Sequence, residues 1–138
     1  MTQGLRNLIR LHRWQLEESR QKLGQLEGLR AELERNAENL EAEIKEEQQK
    51  ASGDLHFAYG PYATAAIGRR ETIVKSLQEI DQELAKARDE VADAFMEVKK
   101  FEIAQEREQK RATLAAQRKE QQTLDDLSLD MFRRRQAR

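Results

Sequence analysis

The fold is decided by the stretch SGDLHFAYGPY, residues 52–62, which holds the only proline of the chain and two of its six glycines. A glycine readily ends a helix, because it can adopt the left-handed conformation there, and a proline is tolerated in the first turn of the next helix. Ser52-Gly53 therefore predicts the end of one helix, and Pro61 predicts the start of another. We expect a helix over about residues 4–52, a turn over 53–60 and a second helix over about 61–132.

On the N-terminal side of this turn, apolar residues recur at alternating steps of four and three. Ten of the fourteen positions that these steps select are apolar, and the exceptions are His12, Ser19, Arg30 and Glu47. This heptad pattern is typical of a coiled coil, and it continues for about six repeats. The predicted seam of the first helix consists of Leu5, Ile9, His12, Leu16, Ser19, Leu23, Leu26, Arg30, Leu33, Ala37, Leu40, Ile44, Glu47 and Ala51.

On the C-terminal side, the same alternation is uninterrupted from Leu77 to Phe101 and extends back to Ala63. The seam positions of this run are Ala63, Ala66, Arg70, Ile73, Leu77, Ile80, Leu84, Ala87, Val91, Ala94, Val98 and Phe101. Beyond it, polar residues such as Gln105, Glu108 and Lys119 occupy most of the seam positions. Residues 105–138 are therefore predicted to be an overhang, helical by propensity but with little to pack on.

The matched lengths of the two seams indicate the architecture. The first seam covers about 47 residues, or roughly 70 Å of helix, and the second is nearly as long. We predict an all-α fold in which two long helices form an antiparallel coiled-coil hairpin, as a single domain over residues 1–138 that is monomeric when free. A parallel dimer of extended chains is the rival, and it would leave both the matched seams and the break at residues 53–61 unexplained.

Composition excludes several function classes. The 25 basic and 26 acidic side chains are balanced, so the chain as a whole is not attracted to nucleic acid or to a membrane surface. There is no cysteine, no apolar run long enough to cross a bilayer and no signal-peptide pattern at the N-terminus, so we expect a cytoplasmic protein. His12 and His56 lie far apart in a hairpin, and no metal-binding or phosphate-binding motif is present. We predict no enzyme, no cofactor, no metal, no nucleic-acid partner and no small-molecule substrate.

Basic residues mark both ends of the chain, which an antiparallel hairpin brings toward the same pole. The residues concerned are Arg6, Arg10, Arg13, Arg133, Arg134 and Arg135. Such a basic base favours docking into an acidic socket on a partner. A solvated helix surface with a frayed basic tail explains the same pattern equally well. An arginine arm on nucleic acid needs more than these short clusters.

Aromatic residues lie at the turn and near the N-terminus. Phe57, Tyr59 and Tyr62 surround the turn, where they either anchor a partner or cap the end of the coiled coil. Trp14 lies off the seam. We expect it in the core, covered by the region around Phe95 and Phe101, with a role as a partner anchor as the alternative.

Three stretches resemble the FliJ family of flagellar export proteins, the stalk-like component of the flagellar type III export apparatus. They are LIRLHRWQLEESRQKL at 8–23, FAYGPYATAAIGRRE at 57–71 and ARDEVADAFMEVKKFEIAQER at 87–107. The RLHRWQL opening and the FAYGPY turn are features that a heptad repeat alone does not produce. Together with length and hairpin layout, the resemblance covers most of the chain.

The resemblance implies a non-enzymatic stalk and adaptor that couples the export ATPase ring to the membrane export gate and escorts export chaperones. Its partners would be the flagellar export ATPase and its regulator, the cytoplasmic region of the gate protein and those chaperones, at the inner-membrane flagellar base. The six basic residues above would face the ATPase. The face near the tip would contact the gate, through Leu40, Ile44, Tyr59, Tyr62, Ile67 and Arg70. A general coiled-coil scaffold and the equivalent stalk of a virulence-type secretion system remain the alternatives.

Overall fold

The computed structural model describes residues 2–53 and 59–137, and they form two helices. Helix α1 is Thr2–Gly53 and helix α2 is Tyr59–Gln136. The observed ends lie within four residues of the predicted ones, which is the usual spread for helix boundaries. Pro61 lies in the first turn of α2, as predicted. Residues 54–58 of the predicted turn, including His56 and Phe57, lie outside the described residues.

Ion pairs between the helices establish that they run antiparallel. Lys22 pairs with Glu90, Arg30 with Asp81 and Glu41 with Arg70. As the residue number on α1 rises from one pair to the next, the residue number of its partner on α2 falls by a similar amount. Only an antiparallel pair of helices gives this relation. No strand occurs within the described ranges, so the predicted all-α helical hairpin is confirmed.

The chain divides into two units, which we call the middle unit (Trp14–Phe95) and the terminal unit (Met1–Arg13 with Met96–Arg138). In the middle unit, one core cluster contains Leu26, Ile80, Leu84 and Ala87. A second cluster contains Leu40, Ile44 and Ala66, with Tyr62 and Ile73 packed against it. Fully burying a leucine or isoleucine contributes about 1.5–3 kcal/mol, so both clusters stabilise the pairing of the two helices in this unit.

Burial follows the predicted heptads closely. All fourteen seam positions of α1 are buried or half-buried, including the four polar ones. On α2, the seam from Ala63 to Phe101 is likewise withdrawn from solvent, with one exception. The exception is Arg70, which reaches outward to Glu41. The period alone therefore locates the interface between the helices.

In the terminal unit, Ile9 and Val98 are buried, and His12 stacks on Phe101. The two ring centroids are 4.7 Å apart and the rings are inclined by 19°. The imidazole therefore occupies a seam position as a flat, largely apolar surface. This accounts for one of the four polar residues in the predicted seam.

The overhang behaves as its sequence predicts. It is helical through Gln136, and every described residue from 109 to 137 is exposed. Residues 109–136 are 28 helical residues, which extend for about 42 Å. None of the helices in the described ranges is both long and apolar enough to cross a membrane.

Candidate functional sites at the termini and near the turn

The predicted basic residues of α1 converge on one groove in the terminal unit. The groove has a volume of about 240 Å³ and is lined by Arg6, Ile9, Arg10, Arg13 and Gln105; we call it the arginine groove. The three arginines share one side of α1, because they are four and three residues apart. A second depression, of about 140 Å³, shares Arg6 and Gln105 and continues toward Ala112.

Two of these three guanidinium groups remain available for a ligand. Arg13 donates a hydrogen bond to Glu102 at 3.1 Å. This bond, with a second from Lys99, lowers the pKa of Glu102. Arg6 and Arg10 form no ion pair with any described residue. The groove therefore presents net positive charge beside the buried Ile9, which suits a carboxylate-bearing surface.

The three C-terminal arginines do not join the arginine groove. Arg133, Arg134 and Arg135 lie in the last turn of α2. They follow Gln105 by about 28 residues, or about 42 Å of helix. Arg134 pairs along the helix with Asp130 at 3.2 Å. The predicted basic base is thus two separate basic surfaces within the terminal unit, because α2 continues well beyond the first residue of α1.

The overhang also carries apolar side chains that are exposed to solvent. Leu124, Leu127 and Met131 follow one another at steps of three and four, so they share one helix face, and all three are exposed. The arginines begin directly after this ridge. The last three turns therefore combine an apolar face with a basic end, as in helices that bind a groove on another protein.

Near the turn, the residues predicted to contact a partner differ in accessibility. Leu40 and Ile44 are buried against Ala66, so they hold the two helices together and do not present side chains to a partner. Tyr62 is half-buried against the same cluster. Ile67 is 53% exposed.

Arg70 belongs to the same surface and is held by Glu41. Its Nε lies 2.7 Å from one carboxylate oxygen, and its Nη2 lies 2.9 Å from the other. Such a two-point contact fixes the orientation of the guanidinium. Tyr59 is the first residue of α2, and its side chain lies outside the described residues. The accessible part of the predicted surface is therefore Ile67 with the Arg70–Glu41 pair, supported from beneath by Leu40 and Ile44.

Comparison with known proteins decides the family. The sequence model of the family described as "Flagellar FliJ protein" matches residues 1–137. The chain belongs to the FliJ family.

Curated relatives agree with this assignment. Two proteins named "Flagellar FliJ protein", from two strains of Caulobacter vibrioides, are each 28% identical to this chain over 131 residues. The alignment covers 94% of this chain and 94% of each relative. No solved structure matches the chain. Membership of the FliJ family gives the protein a role in flagellum biogenesis, connected with flagellar protein export.

One further prediction is corrected by the structure of this FliJ-family chain. Trp14 was expected in the core, yet it is 60% exposed, and Phe95 is exposed as well. Trp14 lies two residues before the seam residue Leu16 and two after His12, which directs it away from the partner helix. The position of Trp14 between two seam residues indicated exposure. The large apolar side chain instead favoured the wrong prediction that it is buried.

Proposed function

We propose that this chain is the stalk and adaptor of flagellar type III protein export. In this proposal it couples the export ATPase ring to the membrane export gate and escorts export chaperones. The chemistry belongs to the partners, and the chain itself is not an enzyme. It acts in the cytoplasm, peripherally at the inner-membrane flagellar base, and binds neither nucleic acid nor a small-molecule substrate.

The arginine groove carries the proposal for the ATPase end. Arg6 and Arg10 are unpaired within the described ranges, and with Arg13 they line one groove beside Ile9. A cationic groove with an apolar floor is suited to an acidic partner surface, where charge speeds the encounter and the floor adds affinity. The overhang adds a second basic element, Arg133, Arg134 and Arg135, for the same partner or for its regulator.

The proposed binding of the export gate is based on a different surface, which lies in the middle unit. Ile67 offers an exposed apolar side chain next to the ion pair of Arg70 and Glu41. An apolar centre with a polar rim is the usual composition of a protein interface. The buried cluster beneath it keeps α1 and α2 together at this point, so a load applied here is shared by both helices.

Family membership favours the flagellar setting over a virulence-type system and over a general scaffold. The scaffold alternative also requires a stable dimer, whereas we expect a monomer when the chain is free. Light scattering at several concentrations distinguishes the two. A dimer that persists on dilution would contradict the monomeric hairpin.

A reciprocal binding experiment tests the two surfaces together. The full-length double variant Arg6→Glu/Arg10→Glu should bind the export ATPase at least tenfold more weakly, because two attractive contacts become repulsive. It should bind the cytoplasmic region of the gate protein as the unmodified chain does. The variant Ile67→Ser should show the opposite pattern. Surface plasmon resonance with each purified partner measures both affinities.

Matched controls separate these effects from general damage. Arg35→Glu/Lys75→Glu, at two exposed positions, makes the same change of net charge as the double variant, and Leu114→Ser, at a site as exposed as Ile67, controls for the loss of an apolar group. Removing residues 131–138 tests the C-terminal arginines separately. ATPase binding that survives both the double variant and the truncation would overturn the proposed base.

A further inference from the structure

A second groove lies in the middle unit, and it shares no lining residue with the arginine groove. It has a volume of about 310 Å³ and runs between residues 29–36 of α1 and 76–83 of α2. Leu29, Leu33 and Ile80 line it with apolar surface. Leu29 is 50% exposed, so the groove presents a large apolar side chain to solvent.

On the face of the helix pair that holds the groove, ion pairs join α1 and α2 beyond each end of the groove but not along it. The residues on this side directly precede every second seam position, such as Leu23, Arg30 and Ala37 on α1. Lys22 and Glu90 hold such positions at one end and pair at 3.3 Å. Glu43 and Arg69 hold them at the other end, at 3.8 Å.

Between those ion pairs, the equivalent positions are Leu29, Asn36, Ser76 and Glu83. No ion pair joins these four residues. The short side chains of Asn36 and Ser76 do not fill the space that a longer pair would occupy. The groove is therefore a local opening in an otherwise closed side of the helix pair.

The rim of the groove carries negative charge that the fold does not neutralise. Glu32, Glu79 and Glu83 line it, and none of them forms an ion pair with a described residue. Glu79 and Glu83 are one helical turn apart, where like charges repel. No set of three acidic or histidine side chains in the described ranges is arranged to hold a metal ion, so this charge is spread along the groove.

We propose that this acidic groove binds an amphipathic helix of a partner protein that carries lysine or arginine on both sides of an apolar ridge. A large apolar side chain of that helix enters beside Leu29 and Ile80. Its flanking cations pair with Glu32, Glu79 and Glu83. The three helices then form a short three-helix bundle with the packing of a coiled coil.

Charge and length together select this occupant. The groove spans residues 29–36, about 10 Å or two helical turns, so it contacts apolar side chains that are three or four residues apart. A neutral apolar partner would leave three carboxylates at the edge of the interface without a counter-charge. An extended strand would have no sheet edge to add to, because both walls are helices.

The probe for this proposal is a fluorescein-labelled helical peptide of about 18 residues, long enough to cover the groove. It has leucines at steps of three and four, lysines on both flanks and alanine elsewhere. Two reference peptides replace either the lysines by glutamate or the leucines by alanine. Fluorescence anisotropy with the full-length chain should show binding of the first peptide and binding at least tenfold weaker for each reference.

Variants of the chain locate the bound peptide. Glu79→Lys/Glu83→Lys and Leu29→Ser should each weaken binding about tenfold or more. Glu38→Lys/Glu46→Lys carries the same change of net charge at exposed positions outside the groove. Val74→Ser removes an equally exposed apolar group. Both control variants should bind within about twofold of the unmodified chain, and circular dichroism should show the same helix content in all four.

Three outcomes would overturn the proposal. The first is that the control variants weaken binding as much as the groove variants do. The second is that the alanine reference peptide binds as tightly as the leucine peptide, since that result would indicate charge attraction alone. A concentration-dependent dimer that Leu29→Ser abolishes would assign the groove to a second copy of this chain. Each outcome leaves the experiments on the arginine groove unaffected.

Discussion

The middle unit and the overhang are built from the same helix-forming residues, yet their helices are supported in different ways. In the middle unit, Leu84 is 2% exposed and Ala87 is 1% exposed. In the overhang, every described residue from 109 to 137 is exposed. Most seam positions hold leucine, isoleucine, valine or alanine in the first region, whereas glutamine, glutamate and lysine hold most of them in the second. Both regions consist of residues that favour helix, but only the helices of the middle unit are also stabilised by packing against each other.

The strongest test of this difference is the removal of one core side chain. Leu84→Ala should lower the free energy of unfolding by about 2–5 kcal/mol, because it leaves a cavity between the two helices. Leu114→Ala, in the overhang, should change it by less than about 0.5 kcal/mol. Urea unfolding followed by circular dichroism measures both. Equal losses would mean that the overhang packs against something.

A smaller effect should distinguish the two regions through the helix itself. Ala115→Gly should reduce local helix stability in the overhang by about 1 kcal/mol, since glycine is a poor helix former. Hydrogen exchange should then become faster around residue 115, while the amides of the middle unit keep their rates. Ala92→Gly, at an exposed position of the paired part of α2, is the matched comparison. Its effect should appear in global unfolding, because that stretch of helix opens only with its partner.

The smallest effect comes from the ion pairs of the paired region. A hydrogen bond from Arg30 lowers the pKa of Asp81, and the same bond raises the pKa of Arg30. Because the folded-state pKa of Asp81 is depressed, its contribution is complete above the unfolded value of about 3.9. It is lost as the pH falls through the lower folded value. We therefore expect a small loss of stability below about pH 4, reduced further by salt.

Asp81→Asn should make the difference in urea midpoint between about pH 7 and about pH 3 smaller than in the unmodified chain. Asp93→Asn, at an exposed carboxylate with no ion pair to the described chain, should leave that difference unchanged. An identical pH response for both variants would contradict a stabilising role for the Arg30–Asp81 pair.

The heptad period was sufficient for most of the fold. It located the seam of both helices, the point where pairing ends and even the polar seam residues, such as Arg30 and His12. It did not reveal how a charged seam residue avoids being buried without a partner. The structure shows that Arg30 extends to the surface, where it pairs with Asp81 and Glu34. The pairing of Arg30 with Asp81 depends on the register between the two helices. The heptad pattern of a single helix does not determine that register.

The candidate sites were less accessible to sequence reasoning. The sequence predicted a basic pole from both ends of the chain, and the structure brings only Arg6, Arg10 and Arg13 together in one groove. Leu40 and Ile44 were assigned to a contact surface, although their own seam positions indicate burial. The acidic groove was missed because Leu29 is an ordinary flanking residue in sequence. It becomes part of a groove only because Asn36 and Ser76 are short on facing helices.

The pair formed by Arg30 and Asp81 has a consequence for sliding between the helices. A heptad repeat allows one helix to slip by seven residues while its seam stays covered. A slip in either direction would replace Asp81 opposite Arg30 by Val74 or by Arg88. One choice leaves Arg30 with only Glu34 of its own helix as a counter-charge, and the other places two cations together. Slippage is thus penalised in both directions, so a displacement applied to α1 in the middle unit is passed to α2 without a change of register.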